Sequence, residues 1–325
     1  IGSRAFAACE GLKYIEIPDS VTYIGEYAFY DCVSLTEIHI PHGITEIREY
    51  TFNNCRSLSS VEIPDTVTLI GDWAFAGCTG ITQIVIPEGV TEIGKYAFSF
   101  TDITAVTIPD GMTVGASAFR ECTSLKSVTI GNNAVIGESA FRLDIETNYT
   151  NDFMKVGDTR YYYFRLTSPL DQLTIGQNVT LGEAAFYGAS ELETVTLGNG
   201  AVIGDHAFYN AANLKNIDLS GALSIGKAAF SGDMIYVFTN SGMTNVALNA
   251  EGMPLYRYYA PVIETLNLAA AQSLGEHAFA YCRALTSVKL GDGITSIGYS
   301  AFNNCINLKK VVLPANLESI GAWAF

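Results

Sequence analysis

Apolar residues recur along this chain in a pattern that repeats every 21 to 23 residues. In one repeat, Leu35, Ile38 and Ile40 follow one another at spacings of three and two, and Pro41 comes directly after them. The alternation of apolar and polar residues over the last of these positions predicts a short strand with one buried face. The Pro or Gly that follows the strand, with a neighbouring Asp, Asn or His, is typical of a turn.

Each repeat closes with a hexapeptide of the form I-G-x-x-A-F, and its Gly, as at Gly25 and Gly71, predicts a second corner without room for a Cβ. A fixed period of this length indicates a solenoid, in which each coil buries its apolar face only against its neighbours. We predict a β-rich solenoid of about fourteen coils, with a parallel sheet on one face and short strands, turns or 3-10 segments on the other. The phenylalanines that mark the coils are Phe6, Phe29, Phe52, Phe75, Phe98, Phe119, Phe141, Phe164, Phe186, Phe208, Phe230, Phe279, Phe302 and Phe325.

We predict one repeat array over residues 1–325, with irregular coils at 142–163 and 231–262. The first stretch lacks the apolar triplet, and the second lies in a 49-residue step between Phe230 and Phe279 that we interpret as two coils plus a few residues. Both stretches are rich in tyrosine. They are either insertions that emerge on one face and bind, or decayed repeats whose aromatic rings fill the core, and we favour decayed repeats.

The formal charge is -15, with 10 basic and 21 acidic residues in 1–163 and 8 basic and 12 acidic residues in 164–325. Because phosphate binding needs clustered Lys and Arg, nucleic acid and anionic membranes are poor candidate partners. No apolar run approaches the roughly 18 residues that span a bilayer, so we expect no direct membrane insertion of this segment. The chain begins and ends inside the hexapeptide, without an initiator Met or polar caps, so we expect it to be a segment of a larger protein. We also expect this segment to be monomeric.

All seven cysteines lie three residues after a marker phenylalanine. Other coils place Thr101, Thr167, Ala189 or Ala211 at this position, which predicts a small buried site where free Cys acts as a small hydrophobe. A metal site would need converging pairs such as C-x2-C, and the sequence has none. Disulfides between stacked coils are geometrically conceivable, but the odd number of cysteines disfavours them. We predict no metal and no cofactor.

The assembled pattern, L-x-x-I-x-I-P-x-x-V-T-x-I-G-x-x-A-F-x-x-C, resembles the BspA-like leucine-rich repeat of bacterial cell-surface proteins. Residues 12–32, 35–55 and 285–305 show it most fully, although Thr51 replaces the Ala and Gly291 the Pro. The resemblance implies a leucine-rich-repeat solenoid, an extracellular or cell-surface location, and adhesion to a host or microbial surface protein. It implies no catalytic residues. A structural stalk and a glycan-binding accessory module remain alternative functions.

Residues that could support catalysis or calcium binding are few, and they lie in repeat positions. Two Gly-x-Ser-Ala segments, at Ser117 and Ser139, resemble the start of a nucleophile elbow, but a Phe follows where a Gly is needed. Four acidic residues occupy equivalent turns without a D-x-D-x-D-G calcium loop: Asp19, Asp65, Glu88 and Asp110. The four histidines are predicted at surface positions: His39, His42, His206 and His277. We predict that the chain is not an enzyme.

The position two residues before the marker phenylalanine is the strongest candidate for a ligand-binding site. Four consecutive coils place aromatic residues there, namely Tyr27, Tyr50, Trp73 and Tyr96. The residue before each is acidic in three of the four coils. If the coils are in register, these side chains form an aromatic stripe beside a mostly acidic row, which suits a protein or glycan partner. The alternative is a packing ladder that repeat duplication produces without any ligand.

A second candidate is the outward row of the predicted sheet. Threonines dominate this row, and they suit an exposed strand by propensity alone, so the row carries little specific signal. Its members are Glu16, His39, Glu62, Val85, Thr107, Thr129, Thr174, Thr196, Asp218, Lys289 and Val312.

Overall fold

The computed structural model describes residues 1–143, 150–156, 159–165, 168–236 and 246–325. Its described residues form a β-solenoid of about 11 turns without an α-helix. Equivalent strands of successive coils pair in parallel, as in the register that joins Val106 to Val128 and Leu173 to Val195. The predicted leucine-rich-repeat solenoid with a dry interior is confirmed, because a continuous cluster of buried apolar side chains runs along the array.

The predicted strand that precedes each Pro or Gly turn lies on what we call the long-strand face. Among the described residues this face contains three separate parallel sheets instead of one continuous sheet. The first pairs Glu37–His39 with Ser60–Glu62; the second contains Ala105–Ile108, Ser127–Ile130, Gln172–Ile175, Thr194–Leu197 and Asn216–Ile217; the third contains Thr265–Leu268, Ser287–Leu290 and Lys310–Val312.

A second set of strands lies just before the Gly of the hexapeptide and defines the short-strand face. Most of these two-residue strands belong to a single nine-stranded sheet, so this face is the more continuous of the two. In chain order they are Glu46–Ile47, Leu69–Ile70, Glu92–Ile93, Thr113–Val114, Val135–Ile136, Thr180–Leu181, Val202–Ile203, Ser224–Ile225 and Ser273–Leu274, followed by the separate pair Ser296–Ile297 and Ser319–Ile320.

The marker phenylalanines lie on the third side of each coil and stack in one column, which we call the Phe ladder. Neighbouring ring centroids are 5.1 to 5.6 Å apart. On this side the backbone amides of Tyr27, Phe29 and Asp31 each donate a hydrogen bond to a carbonyl of the following coil, at 2.9 to 3.1 Å. These bonds satisfy backbone groups that no strand pairing reaches.

Two steps of the Phe ladder correct the predicted coil count. Phe141 stacks directly on Phe186 at 5.1 Å, and Phe230 stacks directly on Phe279 at 5.1 Å. Phe164, predicted as a coil marker, instead pairs with Asn151 in an antiparallel hairpin of Thr150–Val156 and Thr159–Arg165. The prediction was wrong here because the extra segment happens to be about one coil long, so that the period looked unbroken.

The second irregular stretch likewise adds no level to the Phe ladder. Met234–Tyr236 follows the coil of Phe230 and pairs antiparallel with Tyr256–Tyr258, outside the Phe ladder. The interpretation of this stretch as two coils was therefore wrong. The remaining parts of both tyrosine-rich stretches, 144–149, 157–158, 166–167 and 237–245, lie outside the described residues.

The Gly of the hexapeptide is needed because successive coils approach closely at that corner. A Cβ on Gly25 would lie 2.5 Å from the backbone nitrogen of Ser3, and one on Gly71 would lie 2.8 Å from that of Glu49. The prediction that no Cβ fits at this corner is confirmed at both positions. Arg48 occupies the same position in one coil, so the requirement is strong but not absolute.

The residue two positions before each ladder phenylalanine has a left-handed backbone conformation, and this can be tested by substitution. Ala184 has a φ of 54° and is 5% exposed, whereas its neighbour Ala185 has no positive φ and is 0% exposed. We expect Ala184→Gly to change the free energy of unfolding by less than about 1 kcal/mol, because relief of the left-handed penalty offsets the loss of the buried methyl and the added backbone freedom. Ala185→Gly should lower it by about 1 kcal/mol or more, because it loses a buried methyl and adds backbone freedom. Urea unfolding of both variants measures the difference, and equal losses would contradict the assigned conformation.

Candidate functional site

The aromatic stripe of Tyr27, Tyr50, Trp73 and Tyr96 is a continuous stack. Successive ring centroids are 4.6, 5.8 and 4.2 Å apart, and successive ring planes differ by only 6 to 13°. All four residues have φ between 55 and 57°, and this left-handed backbone places each side chain at the same point of its coil. The predicted alignment is therefore present, while its role in binding stays a prediction.

Stacking determines which part of each stripe ring is accessible. The four side chains are half-buried, because each ring covers the face of the next. At one end the guanidinium of Arg4 lies 4.9 Å from the centroid of Tyr27 and covers its outer face. At the other end the equivalent position holds Ser117, which is buried. The stripe thus presents ring edges and polar tips to solvent, and it has few free ring faces.

Carboxylates flank the stripe on the side of the preceding residue. Glu26 and Glu49 are exposed, and Asp72 accepts a hydrogen bond from the backbone amide of Lys95 at 2.7 Å. Burial raises the pKa of Tyr50, and the neighbouring Tyr27, Glu49 and Asp72 raise it further. The Tyr50 hydroxyl is therefore protonated at neutral pH and is available to donate a hydrogen bond.

The long-strand face, whose outward row was the second predicted candidate, contains a groove that was not predicted. The sheets of this face are interrupted on both sides of residues 83–86, which form no strand. A groove of about 1010 Å³ lies at this interruption and is lined by residues 83–88 and 104–110 with Thr129 and Gly131. Val85, a member of the predicted outward row, is 82% exposed in this groove. We call it the sheet groove.

The rest of the outward row lies in register where the strands are paired. Thr107, Thr129, Thr174 and Thr196 are direct neighbours on four successive strands, and all four are exposed. Asn267 also belongs to this row beside Lys289, although it was not among the residues predicted for the row. The predicted small, mixed and solvent-facing character of the row is confirmed for these residues.

The cysteine positions form a buried hydrogen-bonded ladder. Cys32, Cys55, Cys78, Cys122, Cys282 and Cys305 are buried, and Cys9 in the first coil is exposed; all seven are free thiols. Each buried thiol donates to the carbonyl of the ladder phenylalanine one coil earlier, at 3.0 to 3.2 Å. Thr101, Ala189 and Ala211 are buried at the same position, which confirms the predicted small site, while Thr167 lies outside the described residues.

The remaining candidates for catalysis lie apart from one another. His39 faces Asp19 at 3.7 Å and His42 faces Asp65 at 3.6 Å, both as exposed side-chain pairs. Ser117 and Ser139 are 5% and 6% exposed at left-handed positions of the coil. Within the described ranges, no three His, Cys, Asp or Glu side chains are arranged to hold a metal ion.

The parallel short strands, the Phe ladder and the Leu- and Ile-rich interior define a leucine-rich-repeat solenoid. The model of the BspA type leucine rich repeat region matches residues 1–125, 112–236 and 254–325. The chain therefore belongs to the BspA-type leucine-rich repeat family.

Solved structures of bacterial leucine-rich repeat proteins are similar to this chain. A leucine rich cell surface protein from Faecalibacterium prausnitzii is 25% identical, with a TM-score of 0.43 over 96% of this chain and 75% of the other. A leucine-rich repeat protein from Bacteroides ovatus is 23% identical, with a TM-score of 0.38 over 95% and 83%. A T. pallidum leucine rich repeat protein is 29% identical, with a TM-score of 0.38 over 44% and 71%. No significant match was found among curated proteins. In the described part of the chain, no helix has the length and hydrophobicity of a membrane span.

Proposed function

We propose that this chain is a noncatalytic recognition or adhesion module of a secreted or surface-anchored bacterial protein, and that it binds a host or microbial surface protein. The aromatic stripe is the observation that carries the proposal. Its four rings form a stack beside carboxylates on a rigid scaffold, and aromatic side chains with polar tips dominate the energetics of many protein interfaces. Membership of the BspA-type family supports the surface location.

The stacking favours a protein partner over a glycan. A sugar ring that binds an aromatic residue by stacking needs an open ring face, and the faces inside the stripe are covered by neighbouring rings at 4.2 to 5.8 Å. A protein surface can instead meet ring edges, hydroxyls and the adjacent carboxylates through hydrogen bonds and close packing. The glycan-binding module and the structural stalk are the alternatives that the experiment separates.

The test uses the double variant Tyr50→Ala with Trp73→Ala. We expect its affinity for a bound partner to fall at least about tenfold, because truncation of buried interface aromatics commonly costs 2 kcal/mol or more. The probes are purified host matrix and plasma proteins on a biosensor surface, together with a carbohydrate array. The matched control is Tyr14→Ala with Tyr299→Ala, two tyrosines outside the stripe that are 56% and 46% exposed.

The outcomes distinguish the three functions. Loss of protein binding in the stripe variant alone, with a folded circular dichroism spectrum, supports the proposal. Unchanged affinity for a partner of the parent chain would eliminate the stripe as its binding site. Saturable binding to the carbohydrate array without protein binding would indicate the glycan module, and no binding to any probe would indicate a stalk.

A further inference from the structure

The interruption of the long-strand face at residues 83–86 leaves backbone groups without partners. All of residues 59–114 are described, and within them no backbone hydrogen bond joins 83–86 to a neighbouring coil. The coil remains attached just outside this segment, because Thr82 accepts a bond from the amide of Thr104 at 3.0 Å and Thr91 donates to Thr68 at 2.9 Å. The open segment is thus held at both ends.

Proline in the turn removes one main-chain hydrogen bond on each side of the interruption. Where the turn residue is glycine, its amide bonds the last strand carbonyl of the preceding coil, as in Gly131 to Ile108 and Gly176 to Ile130 at 2.8 Å. Pro109 occupies the equivalent position after residues 105–108, and it has no N–H to donate to Ile86. Pro87 likewise has no N–H to donate to the carbonyl of Ile63.

A change of coil length at the same point adds to the mismatch. The step from Phe75 to Phe98 is 23 residues, and the step from Phe98 to Phe119 is 21 residues. The Phe ladder nevertheless continues across both steps at 5.2 and 5.3 Å. The coils therefore stay closed on the phenylalanine side while the long-strand face opens into the sheet groove.

The open backbone favours an extended peptide in this groove. Strand Ala105–Ile108 pairs only with Ser127–Ile130, so its other edge faces the groove with free hydrogen-bonding groups. An extended peptide satisfies such groups by adding strand-like main-chain bonds, and its alternate side chains supply specificity. Val85, at 82% exposure, offers an apolar contact beside this edge.

The acidic residues of the groove indicate which side chains that peptide should carry. Glu88 and Asp110 line its turn end, and no Lys, Arg or His lines it. Asp110 also accepts hydrogen bonds from the amide and side chain of Asn132, at 2.8 and 3.2 Å, which hold its carboxylate in place. A second groove of about 580 Å³ lies at the other interruption of this face, but it contains Lys215 beside its acidic residues. The first groove is therefore the one suited to a cationic ligand.

We propose that the sheet groove binds an extended peptide segment that carries Lys or Arg, through the open backbone of residues 83–86 and 105–108 and the carboxylates of Glu88 and Asp110. This site is separate from the aromatic stripe. Its occupation does not depend on the proposed adhesion through the stripe, so each proposal can fail alone.

The probe is a fluorescein-labelled peptide of alternating Thr and Lys, compared with one of alternating Thr and Glu. We expect fluorescence anisotropy to show binding of the Thr–Lys peptide only. Val85→Lys should weaken it at least about tenfold, because a cation in the groove repels the ligand. The control is Thr196→Lys, at the equivalent outward position of a strand that has a partner strand on each side, which should leave the affinity within about twofold.

Amide hydrogen exchange supplies a second readout. In the free chain, the amides of 84–86 should exchange faster than those of 127–130, and the bound peptide should slow the former group. A backbone N-methylated Thr–Lys peptide should bind weakly, because it lacks the main-chain donors. Slowed exchange of the 84–86 amides and weak binding of the N-methylated peptide are both required to establish a main-chain docking site.

Four results would overturn the proposal. Equal losses with Val85→Lys and Thr196→Lys would indicate diffuse attraction to an acidic surface. Full binding of the N-methylated peptide would exclude main-chain bonding. Loss of peptide binding in the Tyr50→Ala with Trp73→Ala variant would indicate that the peptide binds at the aromatic stripe. Binding of a glycan that depends on Val85, without peptide binding, would assign the groove to a carbohydrate.

Discussion

Replacing Phe75 with alanine should lower the free energy of unfolding by about 3 to 5 kcal/mol, because it removes a fully buried ring and leaves a cavity. Phe75 is 0% exposed and stacks at 5.2 Å on Phe52 on one side and on Phe98 on the other. Phe75 belongs to the buried apolar cluster of the array, and its coil packs only against the two neighbouring coils. Urea unfolding measures the loss.

Phe100 provides the matched control for this substitution. It belongs to the next coil but is 51% exposed and lies outside the Phe ladder. Phe100→Ala should change the free energy of unfolding by less than about 1 kcal/mol, as surface substitutions usually do. A cost below about 1 kcal/mol for Phe75→Ala, or equal costs for the two variants, would contradict the assignment of Phe75 to the core.

The buried side chains were predictable because the same position recurs in every coil. Phe29, Cys55 and Ile93 are each buried where the repeat places an apolar or small residue. Recurrence also located the aromatic stripe, since stacking of coils brings residues one period apart into contact. The period does not show which backbone groups are hydrogen-bonded, because it concerns the chemistry of side chains only.

Features that depend on differences between coils were missed or misjudged. The insertion around Phe164 matches the length of a coil, and only the direct contact of Phe141 with Phe186 shows that it lies outside the ladder. One main-chain hydrogen bond is missing at residues 83–86 because Pro109 stands where a later coil has Gly131. The exchange of Pro for Gly is visible in the sequence. The hydrogen bond that it removes can be identified only when the coils are placed over one another.

The proposed binding surfaces are separate from the contacts that stabilise the array. The Phe ladder and the buried thiols fix the spacing of the coils, and the nine-stranded sheet continues past the point where the long-strand face opens. The two surfaces that we propose for binding, the aromatic stripe and the sheet groove, are those on which the coils differ. Variation at these surfaces leaves the repeated interior unchanged, which is how a solenoid can alter its ligands at small cost in stability.

The buried thiols also make the fold sensitive to alkaline pH. Burial raises the pKa of Cys122 from 9.0 to about 11, and burial raises the pKa of Cys32 and of Cys305 to about 12. Between pH 9 and these values, thiols of the unfolded chain have lost their protons while folded ones keep them. The unfolded state then binds fewer protons, so stability falls as pH rises, by about 1.4 kcal/mol per pH unit for each such thiol.

Cys122→Ala isolates this effect from other titrations, including those of Tyr187 and Tyr209, whose pKa values are also raised by burial. Alanine occupies the same position at Ala189 and Ala211, and the Phe98 carbonyl keeps a hydrogen bond from the Thr101 hydroxyl at 2.8 Å. The variant should therefore fold, and its urea stability should fall less steeply than that of the parent between pH about 9 and about 11, by about 1.4 kcal/mol per pH unit. Identical slopes for variant and parent would mean that Cys122 ionises as readily in the folded chain as in the unfolded one, and the thiol ladder could not then be the dry interior on which the stacking of the coils depends.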